Sequence, residues 1–380
     1  MKVLGISPAY HPATYWGGPI VSLYGLYNSL ATLPNIDLRV LTSDTAGPRL
    51  SQSVEVTAFP AQYPAGYEVY FCRRRAGASF APRMFAEMPR LVRWADVVHV
   101  TSVYSPSTIP ALALCGLLRR PLVWSPRGAF QRWQATTRPQ LKAVWDAICR
   151  RQIVPARSAI HATSPEEAHA IEARIPGVRV VVIPNGVDVP TRLEARDWLP
   201  GGRLRLLYLG RLHPIKGIEN LLHALATIRA LPFSLRVCGT GNPSYTLSLQ
   251  SLANSLSLAD RVTFVGPVDE VGKRAEFLMA DLCVVPSFTE NFGMVVAESL
   301  ANGVPVAAAH GTPWAELEKR GCGFWISNDP ASLANSIASA QQAGLRSMGA
   351  RGREWMEASY DWAVISQRMA NLLISLAKPV

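Results

Sequence analysis

The chain has 380 residues, of which 49% are hydrophobic and 17% are charged, and its formal net charge at pH 7 is +11. This length is too great for one ordinary hydrophobic core and predicts two domains of about 150 to 200 residues, with a cleft between them. The six cysteines are dispersed without paired spacing, which argues against disulfides and zinc, and no run of about 18 apolar residues predicts a membrane-spanning helix.

The first half of the chain alternates short apolar runs with segments of helical spacing. KVLGIS is the first run, and it is too short for the apolar core of a signal peptide, so it predicts a strand. The further runs that predict buried parallel strands are LRVLT, ADVVHVTS, PLVWSP and SAIHATS. Because these runs alternate with helical segments such as GPIVSLYGLYNSLATL, residues 1–185 are predicted to form a doubly wound, Rossmann-like domain.

The positive charge lies mainly in this first half. Residues 1–190 contain 20 Lys and Arg against 11 Asp and Glu, a net +9, whereas residues 191–380 contain 18 against 16, a net +2. Much of the excess is arginine: Arg73, Arg74, Arg75, Arg119, Arg120, Arg127, Arg132, Arg138, Arg150 and Arg151. Two interpretations stay open. The charge favours an anionic partner, such as nucleic acid, a phosphorylated substrate or an anionic membrane leaflet, or it only keeps helix faces solvated.

The second half repeats the alternation after a break. Residues 186–202 are rich in Pro, Gly and charge and are predicted to be a linker. Beyond them, the parallel strands of a second Rossmann-like domain at 203–358 are predicted from LRLLYLG, SLRVCG, RVTFVG, DLCVVPS and PVAAAH. The last segment, at about 359–378, is amphipathic and is predicted to be a helix that crosses back onto the first domain. The predicted fold class is therefore α/β, with two doubly wound domains that face a central cleft.

Ligands of doubly wound sheets bind at the carboxyl ends of the strands, so the residues after each strand are candidates for a site. Arg211 and Lys216, in GRLHPIKG, leave one strand end together before a helical segment and predict an anion site, with two solvated surface cations as the alternative. Gly239 begins a GTG that has Ser244 where a dinucleotide fingerprint has its third glycine, so it indicates only a close backbone approach. Val268 follows the next strand and can offer main-chain groups to a base.

The stretch FTENFGMVVAES, residues 288–299, places Glu290 and Glu298 on either side of a predicted helix start at about Met294. The backbone N–H groups of residues 292–295 are then orphan donors for a phosphate. A diphosphate there would leave one carboxylate near each of its arms, where it could accept hydroxyls from a sugar on one side and a ribose on the other. Taken singly, Glu290 would be a loop carboxylate and Glu298 an exposed helix position.

This combination resembles the E-x7-E signature of the family-4 retaining glycosyltransferases with the GT-B fold, and the resemblance extends over most of the chain. Its other parts are the GR…KG element, the turn VIPNGVD, the stretch HATSPEE at 161–167 and the pair Gly17-Gly18 in the first strand-to-helix loop. Each piece is common, but the set as a whole is specific.

The resemblance implies roles for these residues. Arg211 and Lys216 would bind the donor diphosphate and neutralise the leaving group, while Glu290 would hold hydroxyls of the transferred sugar and Glu298 those of the ribose. The other donor-binding positions implied are Gly18, Gly239, Val268, Asn291, Phe292, Gly293, Met294 and Val295. The implied reaction moves a hexose-type sugar, with retention and without a protein nucleophile, from a nucleotide-diphosphate sugar to a glycan or lipid-linked acceptor.

One position departs from the family pattern. Many relatives carry a histidine where PLVWSPRG has Arg127, which can meet a phosphate but cannot act as a general base. The Ser-Pro-Arg-Gly form is similar to enzymes of surface-polysaccharide assembly. His11 and His99 are the other candidates for the acceptor side, with a histidine satisfied within a loop as the alternative.

The expected partners follow from the same features. The chain contains no D-x-D, so neither a metal site nor a cofactor is expected, and Arg211 with Lys216 would replace the usual divalent cation. We expect a nucleotide-sugar donor, a glycan or lipid-linked acceptor and an anionic membrane surface as partners, with the protein in the cytoplasm or on the inner face of the membrane.

Three other classes of protein remain as alternatives. A sugar-nucleotide epimerase of the same fold is the main alternative, although the E-x7-E loop and the GR…KG element fit transfer better. A phosphorylase would need a pyridoxal-binding lysine. Nucleic-acid binding rests on charge alone, without aromatic stacking motifs, and is not expected.

Overall fold

A computed structural model describes residues 1–131 and 138–377 of the chain. They divide into two compact units: unit 1 is residues 1–186 with the C-terminal segment from Trp362, and unit 2 is residues 187–361. Residues 187–202, predicted as linker, belong to unit 2, where the guanidinium of Arg196 donates to the carbonyl oxygens of Ala280 and Asn302. Arg132 and residue 378 of the predicted last helix lie outside the described residues.

The elements are numbered in chain order. The strands are β1 Lys2–Ile6, β2 Asp37–Ser43, β3 Ala61–Gln62, β4 Glu68–Cys72, β5 Val97–Thr101, β6 Leu122–Ser125, β7 Ser158–Ala162, β8 Arg179–Val182, β9 Leu204–Leu209, β10 Phe233–Cys238, β11 Val262–Gly266, β12 Leu282–Val285, β13 Val306–Ala309 and β14 Gly323–Ile326. The helices are α1 Gly18–Ala31, α2 Pro82–Trp94, α3 Thr108–Leu117, α4 Pro139–Gln152, α5 Pro165–Arg174, α6 Ile218–Thr227, α7 Pro243–Ser255, α8 Glu270–Met279, α9 Met294–Ala301, α10 Glu316–Lys319, α11 Pro330–Gln342, α12 Leu345–Ser359 and α13 Trp362–Ala377. Within the described ranges, no helix combines the length and apolar character needed to cross a membrane.

Unit 1 is built on an eight-stranded sheet in the order β3-β4-β2-β1-β5-β6-β7-β8. The pairs are parallel except for β3 with β4. Its inner strands are apolar along their length because helices cover both faces: α2, α3, α4 and α5 contribute to one core cluster, and α1 and α13 to the other. Alternate residues of β1 divide between these clusters, with Leu4 on one face and Val3 on the other.

The C-terminal helix α13 packs against α1. The ring of Trp362 fills the space that side chains at Gly25 and Gly186 would need, since an ideal Cβ at either position would lie 2.3 Å from a ring atom. The hydroxyl of Ser29 lies within hydrogen-bond distance of the carbonyl oxygen of Trp362, at 3.0 Å, and of the hydroxyl of Ser366, at 2.8 Å, and can donate to one of them at a time. The last helix is thus part of unit 1, although the whole of unit 2 precedes it in the chain.

The arginine cluster of unit 1 is not uniformly exposed. Arg73 and Arg75 are exposed, but Arg74 between them is buried. Its guanidinium donates to backbone carbonyl oxygens of the neighbouring loops, those of Gly47, Arg49, Gln52 and Ala78. Arg74 is therefore part of the fold and not of a surface for anions, which corrects its place in the predicted cluster.

Unit 2 contains a six-stranded, all-parallel sheet in the order β11-β10-β9-β12-β13-β14. Two parallel doubly wound sheets confirm the predicted α/β class. In unit 2 the strand order reverses between β9 and β12, and in unit 1 it reverses between β1 and β5. Ligands of such sheets bind at the carboxyl ends of the strands beside a reversal, so these two places define where sites are expected.

Candidate active site

The reversal in unit 2 brings together the loops that follow β9 and β12. The first loop carries Arg211 and continues through a 3-10 helix at Pro214–Lys216 into α6, and the second carries Glu290 and ends at α9. Tyr208, near the end of β9, lies close enough to both loops for its pKa to depend on charges from each of them. Burial raises its pKa well above the usual value, the charge of Glu290 raises it further, and the charge of Arg211 lowers it. Neighbouring strand ends therefore supply both cations and the first carboxylate.

Lys216 and Glu290 form an ion pair. The ammonium of Lys216 donates to Oε1 of Glu290, and the hydroxyl of Ser287 donates to the same oxygen at 2.9 Å. The side chains of the pair are only 16% and 18% exposed, and the backbone N–H of Glu290 is fixed on the carbonyl oxygen of Gly311 at 2.7 Å. Oε2 of Glu290 accepts no hydrogen bond from the described residues. The carboxylate is thus fixed through one oxygen and has the other available.

Glu298 is held in the same way by a lysine that the sequence did not indicate. The ammonium of Lys273, on α8, donates to Oε1 of Glu298 at 2.8 Å and to Oε1 of Glu270 at 3.0 Å. Burial opposes the charge of Lys273, but the two carboxylates raise its pKa overall. No motif links Lys273 to Glu298, from which 25 residues separate it. Its position one turn into the helix that follows β11 is the only sequence feature that could have indicated it.

The N-terminus of α9 lies between the two carboxylates along the chain. The helix begins at Met294, as predicted, after Gly293, whose φ of 77° lies in the left-handed region that favours glycine. The N–H groups of Gly293, Met294 and Val295 have no backbone acceptor within the described residues, as expected for a first helical turn. Phe292 is buried, and its carbonyl oxygen accepts the indole N–H of Trp314 at 2.5 Å. The loop is thereby anchored, and its donors are available to an anion.

The GTG segment approaches the loop after β9. Gly239 has a φ of 138°, and a Cβ there would lie 1.9 Å from the carbonyl oxygen of Gly210. The N–H of Leu212 donates to the carbonyl oxygen of Thr240 at 2.8 Å, so this contact brackets Arg211 on both sides. Close backbone approach, predicted from the glycines, therefore occurs within unit 2 itself and positions Arg211.

Val268 lies two residues before α8. It is half-buried and directly precedes Asp269, whose carboxylate caps the helix by accepting the N–H of Gly272 at 2.7 Å. Asn291 lies in the loop between Glu290 and α9. Apart from Gly18, the donor-binding candidates thus lie in the loops that follow β10, β11 and β12 or in the first five residues of α9.

Unit 1 has a cavity of about 260 Å³ at its own strand reversal. Hydroxyl groups from the ends of β1, β2 and β5 line it together with apolar side chains. Its lining includes Ser7, Trp16, Ile20, Thr45, Thr101, Ser105 and Arg127. Gly18, the first residue of α1, is exposed and lies two residues after Trp16.

Arg127 supplies the positive charge of this cavity. Its Nη1 donates to Oδ1 of Asn185 at 2.7 Å and to the hydroxyl of Ser22 at 3.3 Å, whereas Nε and Nη2 are buried without a partner in the described residues. Burial lowers the pKa of Arg127, and the carboxylate of Glu167 opposes that shift. Contact of Arg127 with a phosphate stays a prediction, now with two unused donors to support it.

His99 is not available to an acceptor, which corrects its assignment. It is completely buried in a chain of hydrogen bonds. At one end, Nε2 of His161 faces the carbonyl oxygen of Ile183 at 2.7 Å and must donate, so Nδ1 of His161 accepts the Ser125 hydroxyl at 2.7 Å. Ser125 then accepts Nε2–H of His99 at 2.7 Å, and Nδ1 of His99 accepts the hydroxyl of Tyr27 at 3.0 Å. Both imidazoles are therefore neutral, and their place is structural.

His11 remains a candidate. Its ring stacks on Tyr24 with centroids 3.9 Å apart, and burial lowers its pKa. Its Nδ1 has no hydrogen-bond partner within the described part of the chain. The hydroxyl of Tyr63 donates to its carbonyl oxygen, so the backbone is fixed while the ring nitrogen is unused.

Two family models match consecutive parts of the chain. Residues 16–190 match the model described as Glycosyltransferase Family 4, and residues 193–355 match the model described as Glycosyl transferases group 1. Together they cover most of both units.

Individual relatives and solved structures agree with these matches. D-inositol 3-phosphate glycosyltransferase 2 of Catenulispora acidiphila is 33% identical over 208 residues, which are 49% of this chain and 48% of that protein. The chain thus spans about half the length of the curated relatives that it matches. The fold is similar to sucrose-phosphate synthase from Thermosynechococcus elongatus, with a TM-score of 0.74, 21% identity and 99% of each chain covered. It is also similar to Anabaena HepE in complex with UDP, with a TM-score of 0.73, 19% identity, and 99% of this chain and 100% of that chain covered.

Proposed function

Because this chain belongs to the family-4-type glycosyltransferases with the GT-B fold, we propose that it moves a hexose-type sugar from a nucleotide-diphosphate sugar to a glycan or lipid-linked acceptor, with retention, in polysaccharide biosynthesis. One observation carries the proposal. Glu290 and Glu298 are each bound to a lysine through Oε1, on either side of the N-terminus of α9. Two carboxylates with one available oxygen each, flanking a phosphate-binding helix end, suit a ligand with a hydroxylated group on both sides of a diphosphate.

The cations of the site would stabilise the leaving group. When the bond between the anomeric carbon and the diphosphate breaks, the bonding electrons stay on the phosphate oxygen, and negative charge increases there. Arg211 is exposed just after β9, and Lys216 lies further along the same loop. Fixed positive groups and the helix N–H groups interact more strongly with this charge in the transition state than in the donor, and that difference lowers the barrier. The acceptor hydroxyl then attacks from the face that the diphosphate leaves, as the resemblance implies, and its proton passes to the departing phosphate oxygen.

Glu290 would have two tasks. It orients Lys216 through Oε1, and its Oε2 would accept a hydroxyl of the transferred sugar. An ion pair formed before the donor binds keeps the ammonium in place, so little reorganisation is needed when charge develops on the diphosphate.

The nucleotide end would be held by Glu298. Its Oε2 would accept the ribose hydroxyls, while Lys273 fixes the carboxylate through Oε1. The main chain at Val268 would contact the base. HepE was solved with UDP, and the same class of ligand, a nucleoside diphosphate, is proposed here.

The acceptor would bind in the cavity of unit 1. The hydroxyl groups of Ser7, Thr45 and Thr101 donate to backbone carbonyl oxygens, and their oxygens can still accept hydrogen bonds from a polyol. The two unused donors of Arg127 suit an anionic group on it. The Catenulispora relative is named for a phosphorylated polyol, D-inositol 3-phosphate, which combines both features. We therefore propose a phosphorylated or otherwise anionic glycan or lipid-linked acceptor, presented at an anionic membrane surface.

The experiment that tests the proposal follows sugar transfer in excess EDTA and in Lys216→Ala. Because Arg211 and Lys216 are proposed to replace a divalent cation, activity should survive EDTA. Lys216→Ala should lower kcat by on the order of 100-fold, since one preorganised electrostatic partner of the leaving group is lost. Arg211→Lys should also be poorly tolerated, because an ammonium cannot span two phosphate oxygens as a guanidinium does.

Lys319→Ala, an exposed lysine on α10, is the matched control and should keep full activity. Loss of activity in EDTA with rescue by Mg²⁺, or near-normal turnover of Lys216→Ala, would overturn the assignment of the electrophile. Transfer with inversion, detected in the product by NMR, would overturn the retaining mechanism.

A further inference from the structure

The outer face of α4 is apolar. Among residues 139–148, every exposed residue except Gln140 is apolar. These apolar residues include Leu141 and Val144, which are 63% and 58% exposed. Leu141, Val144 and Ile148 follow the spacing i, i+3, i+7 and form one stripe along the helix. A stripe of exposed aliphatic side chains on a helix marks an interaction surface.

Two residues on the inner face of α4, Trp145 and Asp146, form hydrogen bonds with other parts of unit 1, and these bonds fix the orientation of the helix. Asp146 is buried and accepts the hydroxyl of Tyr104 at 3.0 Å and Nη1 of Arg174 at 2.6 Å. The indole N–H of Trp145 donates to the carbonyl oxygen of Val103 at 2.8 Å. The helix therefore has its carboxylate inside, beside the core residues Trp145 and Cys149, and also has an apolar stripe outside, where an ordinary surface helix is polar.

Positive charge lies on α4 and beside its C-terminal end. Lys142, Arg150 and Arg151 lie on α4 itself, and Asp146 is the only acidic residue between positions 97 and 165. A cavity of about 470 Å³ beside the C-terminal end of α4 is lined by Arg119, Arg120 and Arg157, together with Val154. Nη1 of Arg157 donates to the carbonyl oxygen of Arg119 at 3.1 Å, which holds that guanidinium at the cavity.

We infer that the outer face of α4 and the arginine cavity beside it form a docking surface for an anionic membrane. The aliphatic stripe would enter the boundary between headgroups and acyl chains, while the guanidinium groups would bind lipid phosphates. A second copy of the chain is a poorer occupant, because a two-fold contact would bring the same arginines of both copies together. The inference rests on the proposed function, in which the acceptor is presented at a membrane.

The first test measures sedimentation of the full chain with vesicles of phosphatidylcholine, with and without phosphatidylglycerol. Binding should require the anionic lipid and fall with salt. Leu141→Gln/Val144→Gln should weaken binding by on the order of tenfold, because both side chains lose their apolar contact with the lipid. Leu247→Gln/Met279→Gln, two exposed apolar residues of unit 2, is the matched control and should bind as the unaltered protein does.

The second test separates a specific surface from the overall charge. Arg119→Gln/Arg157→Gln removes two charges at the cavity, and Arg73→Gln/Arg75→Gln removes two exposed charges elsewhere in unit 1. The first pair should weaken vesicle binding by on the order of tenfold, and the second pair should weaken it less. Thermal midpoints of the variants check that the fold is intact.

Equal losses in both arginine pairs, or unchanged binding of Leu141→Gln/Val144→Gln, would overturn the inference. So would a dimer, seen by light scattering, that Leu141→Gln/Val144→Gln converts to a monomer, because a second copy would then cover the face. Nucleoside diphosphate binding is measured on the same variants and should not change. If no nucleotide binds while the vesicle results hold, the proposed function fails and the docking surface stands.

Discussion

At the residue scale, the candidate site consists of two glutamates whose directions are set by lysines. Lys216 holds Glu290 and Lys273 holds Glu298, each through a single carboxylate oxygen. Lys273 is expected to act through Glu298 and not by contact with the ligand, which makes it a positioning residue. The arrangement therefore makes a specific prediction for nucleotide binding.

Glu298→Ala should weaken binding of both free nucleoside diphosphate and intact donor by roughly 1.5–3 kcal/mol, because the ribose loses its carboxylate partner. Lys273→Met should weaken it less, and the double variant should be no weaker than Glu298→Ala alone, since the two residues act as one unit. Calorimetric titration measures these affinities, with Glu354→Ala, an exposed glutamate on α12, as the control. Unchanged affinity in Glu298→Ala would remove that residue from the site, and additive losses would give Lys273 a contact of its own.

The buried histidines of unit 1 predict a loss of stability in acid. Burial lowers the pKa of His161 to about 3 and that of His99 well below its usual value. The unfolded chain therefore takes up protons near pH 6.5 that the folded chain does not, so this stability is present above pH 6.5 and is lost as the pH falls towards the folded pKa. For His161 alone the loss between pH 7.5 and pH 5 is about 2 kcal/mol.

Denaturant unfolding at a series of pH values measures this effect. His161→Gln should be less stable at neutral pH but should show a shallower decline below pH 6.5. An identical slope in the variant would show that other groups cause the acid sensitivity.

At the scale of elements, the docking of α13 on α1 depends on one indole ring. Trp362→Ala should destabilise unit 1 by about 3 kcal/mol, because the space left between Gly25 and Gly186 cannot be filled by small residues. Gly25→Ala should also destabilise it, since the added methyl group would overlap the ring. Hydrogen exchange of peptides from α1 should increase in both variants.

Trp198→Ala provides the control for this prediction, because Trp198 is a partly buried tryptophan of the unit 2 core. It should leave exchange in α1 unchanged. If α1 stays protected from hydrogen exchange in Trp362→Ala, then α13 is held on α1 by its aliphatic contacts and by Ser29 instead.

At the scale of the whole molecule, the sites assigned to donor and acceptor lie on different units. Nucleoside diphosphates should raise the unfolding temperature, because a ligand bound only to the folded state adds to its stability. Hydrogen exchange should show the strongest protection in peptides that contain residues 211–217 and 290–298, where the cations and the helix N-terminus lie. Peptides from α2 and α3 should serve as internal controls without protection. Protection that misses 290–298 would show that the nucleotide binds elsewhere.

Local sequence alone determined much of this protein. The strands were predictable from short apolar runs that alternate with helical segments. The start of α9 at Met294 was predictable from a glycine placed directly before a helical segment. Arg211, Lys216 and Glu290 could be named because they lie in loops that follow strands, and Glu298 because it lies one turn into the next helix; parallel topology brings such loops to one edge of a sheet. These features depend on neighbours in the chain, so they can be recognised without knowing the fold.

Tertiary structure decided which side chains are buried and what each one binds. Lys273 reaches Glu298 across 25 residues, Arg74 is surrounded by backbone carbonyl groups, and His99 lies in a buried chain of hydrogen bonds instead of at an acceptor. The outward direction of the apolar stripe on α4 is likewise set by Asp146, whose partners come from other helices and loops. The periodicity of a sequence shows that a helix has two different faces. Which face is buried depends on the residues that its side chains contact, and these residues are distant in the chain. Only the packing of strands and helices brings them together.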